Sequence, residues 1–281
     1  MSGHFSAYSF VDRITELEAG KRARGFFLVP AHLSRFPVAL AAEAVGQLAA
    51  WNAMSSFDYK VRPVAGLAAE LRFGSEVRPG CRLDLEVVIE SCEADAVSYS
   101  GWADADGVRV IELDHSVGPM LPMEEFDAPQ AVRARFELLC GAGAQSGRFP
   151  GLPEHDIEII ERVPEQKLEA LLRVPAEAHF FSDHFPRRKV FPGTLLLDAQ
   201  MQLGLKFAAD WPSLPRGSSL VVTRIPDMKI RSFVPPGEVL ELRVDVAPTS
   251  EPGKVRATTT VRANGKSVAS GKLEMTARSG Q

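Results

Sequence analysis

The sequence predicts an α+β fold built twice within one chain, and three observations point there. A Phe-Pro pair leading into an apolar helix occurs twice, each helix is followed by a run of alternating strands, and a Gly-, Pro- and Ser-containing passage separates the two blocks. Pro37, Glu43 and Gln47 of FPVALAAEAVGQ correspond to Pro192, Asp198 and Gln202 of FPGTLLLDAQMQ, each pair 155 positions apart. Downstream, Val77-Arg-Pro-Gly80 returns as Val234-Pro-Pro-Gly237 at an offset of 157, followed by CRLDLEVVIES and EVLELRVDVAP. Apolar and polar residues alternate in both, as in a strand with one face buried.

In chain order, ELEAGKRARG reads as two strands joined by a glycine-containing turn, and an apolar helix follows over Val38–Met54. Strands are expected around Gly66–Phe73, Arg82–Ser91, Ala96–Ala103 and Val108–Ser116, with the prolines of GPMLPMEEFDAP ending the sheet. A short helix is expected over Gln130–Leu139, inside a connection spanning 126–153. The second block opens near Ile157 and has its helix over Thr194–Ala209. Its strands are expected at Ser219–Pro226, Met228–Phe233, Leu240–Ala247, Lys254–Arg262 and Ser267–Thr276. The expected division is thus an N-terminal domain over 1–125, a linker over 126–153 and a C-terminal domain over 154–281.

Composition narrows the function classes. With 45% hydrophobic and 24% charged residues and a net charge of −4, the chain reads as a soluble globular protein with no reason to bind nucleic acid. Cys81, Cys92 and Cys140 have neither metal-ligand spacing nor an even disulfide count, so a reducing cytoplasm is the simplest compartment and no metal is expected. The N-terminus lacks a basic segment followed by an apolar one, and Glu43, Gln47 and Asn52 interrupt the long apolar run, so neither a signal peptide nor a membrane span is expected.

Chemistry concentrates in the stretch from His184 to Gln202. A single histidine leads through Pro192-Gly193 into a helix that is apolar nearly all round, as expected of a core helix. Within it, Asp198 and Gln202 share a face, and a carboxylate in such surroundings must be hydrogen-bonded or protonated. Pro192 suits a helix start, and the free amides after it can polarise a carbonyl oxygen. The plainer alternative is a capped core helix whose Asp198 bonds Gln202 and whose His184 merely packs.

The spacing of His184-Phe-Pro, then Pro192-Gly193 eight residues on, then an acid and a Gln on the helix resembles the 3-hydroxyacyl-acyl-carrier-protein dehydratases of fatty-acid synthesis, which have the hot-dog fold. VDRITELEAGKRARG and DMKIRSFVPPGEVLELRV are similar to other parts of the same family, and LLLDAQMQ looks like its Asp-using, isomerising branch. The resemblance is strongest over 157–275 and weaker over 8–118; fused double hot-dogs occur among polyketide and polyunsaturated-fatty-acid synthase dehydratases. It implies an enzyme without cofactor acting on 3-hydroxyacyl thioesters carried by acyl carrier protein. A neutral histidine would take the C2 proton, a protonated acid would help hydroxide leave C3, and the Gly193 N–H would hold the thioester oxygen. Two other functions stay open: a hot-dog acyl thioesterase, and an inactive acyl-binding module of a synthase.

The two copies differ in their loops. VPAH at 29–32 matches VPAEAH at 174–179 at an offset of 145, so the first copy is ten residues short by the time it reaches Phe-Pro, and Val38 stands where Gly193 stands in the second. In the resembled family the histidine of one hot-dog faces the acid of its partner, so the halves are expected to form a pseudo-dimer in which His184 meets Glu43, backed by Gln47. A reciprocal site of His32 and Asp198, backed by Gln202, is a possible second one; a first-half histidine working with a second-half Asp, as in the fused synthase dehydratases, is the competing assignment. Arg187, Arg188, Lys189, Lys229 and Arg231 form a basic rim expected to receive an acidic carrier protein, the alternative being a solvated charge cluster.

Overall fold

The computed structural model describes residues 7–209, 219–247, 249 and 251–278, so the outer ends of the two expected domains, 1–6 and 279–281, lie outside the described residues. Strands β1 (Arg13–Glu18) and β2 (Arg22–Leu28) form a hairpin, followed by α1 (Val38–Ser56). Next come β3 (Val61–Pro63), β4 (Leu67–Phe73), β5 (Arg82–Cys92), β6 (Ala96–Ala105) and β7 (Val108–Pro122), then α2 (Pro129–Cys140). The second block repeats the series: β8 (Asp156–Val163) and β9 (Lys167–Arg173), then α3 (Gly193–Ala208). It closes with β10 (Ser219–Ile230), β11 (Val239–Ala247), β12 (Lys254–Ala263) and β13 (Lys266–Arg278).

Twelve of the strands make one antiparallel path, β1-β2-β5-β6-β7-β4-β10-β13-β12-β11-β9-β8, with β3 attached to β7. Read from either end the order is the same, since β8 corresponds to β1, β11 to β5 and β10 to β4. The molecule is therefore a double hot-dog, two helices each wrapped by half of a continuous sheet, joined where β4 pairs β10. Buried residues of both halves form one continuous core.

Burial explains the pattern. In β5, Leu83, Leu85, Val87 and Ile89 face inward while the residues between them are exposed or only partly covered; β11 does the same with Leu240, Leu242, Val244 and Val246. Each such side chain contributes about 1.5–3 kcal/mol by leaving water. The helix α1 buries Leu40, Val45 and Leu48 completely. Its one fully buried polar residue, Asn52, accepts from Gly20 N at 2.8 Å and donates to Glu18 O at 3.0 Å and Arg22 O at 2.8 Å, which ties α1 to the first hairpin with the amide satisfied.

Three elements differ from expectation. Ser219–Ile230 is one strand, not two: Asp227 takes a positive φ of 56° and the pairing with β13 shifts register there, so Pro226 sits at a bulge instead of a break. Strand β7 continues to Pro122 through a bulge at His115, φ 45°, because its proline-containing end pairs with the unforeseen β3. The segment after β7 also packs firmly: Val132 and Leu139 of α2 are fully buried, and Phe149 lies 5.0 Å from Phe10, ring centre to ring centre. Among the described residues no helix is long and apolar enough to cross a membrane, and no group of three or more His, Cys, Asp or Glu is placed to hold a metal ion.

Candidate active site between the halves

The site is assembled from the second and third turns of α1, the first turn of α3, the loop ahead of α3 and the segment ahead of β1. A cavity of about 360 Å³ lies among them, lined by His184, Glu43, Gln47, Gly193, Thr194 and Tyr8, with Arg62 at one side. Most of its wall is apolar, and it follows one face of α1 through Gly46, Ala50, Trp51 and Met54.

Backbone bonds fix the loop. The His184 N–H donates to Phe180 O at 3.0 Å, Arg187 N–H to Phe126 O at 2.9 Å, and Phe191 N–H to Val234 O at 2.8 Å. The His184 ring stacks on Phe185 with centroids 4.0 Å apart, and Tyr8 meets it edge-on at 5.3 Å. Its Nδ1 is enclosed and has no hydrogen-bond partner. Burial, reinforced by the positive charge of Arg62 and only partly offset by a contact with the Val190 backbone, lowers the His184 pKa to about 3. The imidazole is thus unprotonated throughout the neutral range.

Glu43 has both carboxyl oxygens engaged. Gln47 Nε2 donates to Oε1 at 2.9 Å, and Thr194 Oγ1, which also bonds Tyr8 OH at 2.7 Å, donates to Oε2 at 2.6 Å. Gln47 is fixed in turn by Phe10 N at 2.8 Å and Tyr8 O at 3.0 Å. Burial raises the Glu43 pKa, while the Thr194 and Gln47 hydrogen bonds and the charge of Arg62 hold it back. At the head of α3, Pro192 is followed by amides that have no acceptor within the helix, and no side chain caps them. A Cβ on Gly193 would come within 2.4 Å of Ile230 Cδ1, so a larger residue there requires the end of the Ile230 side chain on β10 to move aside.

The other acid stands elsewhere. Asp198 is buried and accepts from Gln202 Nε2 at 2.7 Å; its Oδ2 also meets His155 Nε2 at 2.9 Å, and neither Asp198 nor His155 lines the cavity. His32 is exposed in the turn after β2, while buried Asp198 bonds Gln202 and His155, so the possible second pairing of His32 with Asp198 is not among the bonds that Asp198 makes. The physical reason is the shorter loop: with ten residues fewer, the first copy passes from β2 into α1 with no excursion that could carry a histidine across to the partner helix. His155, just before β8, fills that position instead.

Of the basic residues, Arg187, Arg188, Lys189, Lys229 and Arg231 are all exposed. Three are engaged: Arg187 Nη1 donates to Glu124 O at 3.1 Å, Arg188 pairs with Glu125 at 2.7 Å and lies 4.3 Å over the Phe233 ring, and Arg231 donates to Ser270 Oγ at 2.9 Å. The site also contains residues that the sequence did not single out, namely Tyr8, Arg62 and Thr194. Only Thr194 left a trace, as a hydroxyl in the first turn of an otherwise apolar helix.

Residues 160–272 match the ApeI-like family, described as ApeI dehydratase. The chain is 34% identical over 88 residues to the 3-hydroxyacyl-[acyl-carrier-protein] dehydratase FabZ of Burkholderia cenocepacia, an alignment covering 31% of this chain and 57% of that protein. The chain therefore spans little more than half the length of the curated relatives it matches. Among solved structures, the dehydratase domain of PpsC from Mycobacterium tuberculosis, crystallised with C12:1-CoA, superposes with a TM-score of 0.55 at 16% identity, over 97% of this chain and 100% of that one. A Lactobacillus plantarum protein assigned as an oleoyl thioesterase superposes at 0.60 with 12% identity, over 92% and 99%. At such identities these two likenesses bear on the fold alone.

Proposed function

We propose, from the premise that this chain is a double hot-dog whose second half is of the dehydratase type, that it removes water from 3-hydroxyacyl thioesters to give 2-enoyl thioesters. The observation that carries this is that His184 from one half and Glu43 from the other line a single apolar-walled cavity at the open amides of α3. Neutral His184 takes the proton from C2. Glu43, its neutral form favoured by burial, gives a proton to the C3 hydroxyl, and the C–O bond breaks with loss of water. The Gly193 N–H holds the charge that develops on the thioester oxygen, a role worth about 2.7–4 kcal/mol per donor in other enzymes. Return of the proton from the imidazolium to the Glu43 carboxylate, through the water that enters, resets the site.

The substrate is carried by an acidic acyl carrier protein, and the exposed Arg187, Lys189 and Lys229 form its landing surface. Arg188 contributes less, because Glu125 already neutralises it. The setting is fatty-acid or polyketide synthesis in the cytoplasm.

The test is incubation with a 3-hydroxyacyl carrier-protein thioester and, in parallel, with a short pantetheine thioester, followed by mass spectrometry. Loss of water supports a dehydratase, whereas release of free thiol would make the protein a thioesterase and no change would make it a binding module. Reversing the charges of Arg187 and Lys189 should raise KM for the carrier-bound substrate alone, less so at high salt. An equal effect on both substrates would remove the carrier surface from the proposal.

A further inference from the structure

Arg62 has an unusual position for a cation. It lies on β3 in the first half, yet its Nη2 donates to the main-chain oxygen of His184 at 3.2 Å and its guanidinium carbon lies 4.7 Å from the centre of the Phe185 ring. Both contacts fall on the two consecutive residues that carry the proposed base. Its Nε is enclosed without a partner, although Arg62 borders the cavity. A guanidinium held this way is costly to desolvate, and a single neutral donor would suffice to anchor one carbonyl. What a cation adds is its field: burial and the nearby Arg135 disfavour the charge, while Asp127, Glu43 and Asp183 favour it.

We propose that Arg62 is a positioning residue of the proposed dehydratase site, clamping the His184–Phe185 segment from the opposite half and setting a fixed positive charge beside the imidazole and the Glu43 carboxyl. The clamp holds the ring where a C2 proton can reach it. The charge opposes formation of imidazolium in the resting enzyme and stabilises the Glu43 carboxylate left after its proton departs, so both groups are poised by one side chain. The charged and titratable groups that line the cavity with His184 are Arg62 from β3, Glu43 from α1, Tyr8 from the segment before β1, Tyr99 from β6, Asp183 from its own loop, Arg135 from α2 and Arg231 after β10. Of these, Arg62 is the one whose charge lowers the affinity of His184 for a proton.

The inference rests on the dehydratase reading, so its test has one readout that needs no activity. In Arg62→Met, kcat should fall about tenfold with KM changed less than about threefold. The acid limb of kcat/KM should move up by about one pH unit, and NMR titration of the substrate-free protein should show the His184 imidazole accepting its proton at correspondingly higher pH. Arg62→Lys keeps the charge without the planar fork, so it should return the titration towards the wild-type position while restoring kcat only in part. An unmoved His184 titration in Arg62→Met, or Arg62→Lys titrating no closer to wild type than Arg62→Met, would overturn the inference. If Arg62→Met does not fold, Arg62→Lys and Arg62→Gln carry the same comparison. Should the titration move in a protein that dehydrates nothing, the charge effect stands and the dehydratase reading falls.

Discussion

Two carboxylates at matching turns of matching helices end in different company. Glu43 faces a cavity through a hydroxyl and an amide, whereas Asp198 is sealed against His155 and Gln202. Under the proposed chemistry, His184→Ala and Glu43→Gln should each lower kcat at least about 100-fold, and the double variant should be hardly worse than either, as for groups acting as one unit. Asp198→Asn should keep kcat within about threefold while costing about 1–3 kcal/mol in urea unfolding, because buried donors lose a charged acceptor. Activity lost in Asp198→Asn and kept in Glu43→Gln would exchange the two roles. His184, Glu43, Gly193 and Asp198 were visible in the sequence because each belongs to a short motif of fixed spacing. Tyr8, Arg62 and His155 were not, since what brings them in is tertiary: the Tyr8–Thr194 bond spans 186 positions and the Thr194–Glu43 bond 151.

The helix α1 does more than present an acid. Its face from Glu43 to Met54 forms one wall of the cavity, and the eleven steps of about 1.5 Å between those two residues extend about 16 Å, ample for an acyl chain lying along it. Gly46 lies on that wall, and a Cβ there would stand 3.3 Å from the Tyr99 hydroxyl. Gly46→Leu should therefore lower kcat/KM for long-chain substrates at least about tenfold while a four-carbon substrate is affected less than about threefold. Equal losses for both lengths would mean that the chain does not lie along α1. Helices and the alternating strands were legible at this scale, because periodicity encodes which face is buried. Strand continuity was less so: Pro226 and Pro119 look like breaks in one dimension, and become tolerable only because bulges at Asp227 and His115 let the strands run on.

Across the whole molecule, the fold stores two oppositely mispaired titrations. Unfolded His184 would bind a proton near pH 6.5, but in the fold it does not until about pH 3. Stability is thus complete above the higher value and declines on acidification between the two, with a slope of up to about 1.4 kcal/mol per pH unit. Glu43 acts in the reverse sense, since its folded pKa lies above the ordinary 4.5 and stability falls as pH rises through that window. Comparing urea midpoints at about pH 7.5 and about pH 5.5, the wild type should lose more stability than His184→Gln, which cannot take up that proton. Equal losses would show that His184 titrates normally in the fold.

The sheet order reads the same from both ends, but the surroundings of the two helix acids do not repeat with it. One helix acid opens onto a space large enough for a substrate; its counterpart is occupied by an imidazole from its own chain. Duplication usually doubles capacity, and under the proposed chemistry it has instead divided labour, one half giving the histidine loop and the other the acid. Under the proposed chemistry one polypeptide would hold one acyl chain at a time, where a symmetric pair of single hot-dogs would hold two. Under the proposed dehydration a single working site per chain predicts hyperbolic saturation, with delivery of substrate to one mouth setting the turnover of each molecule.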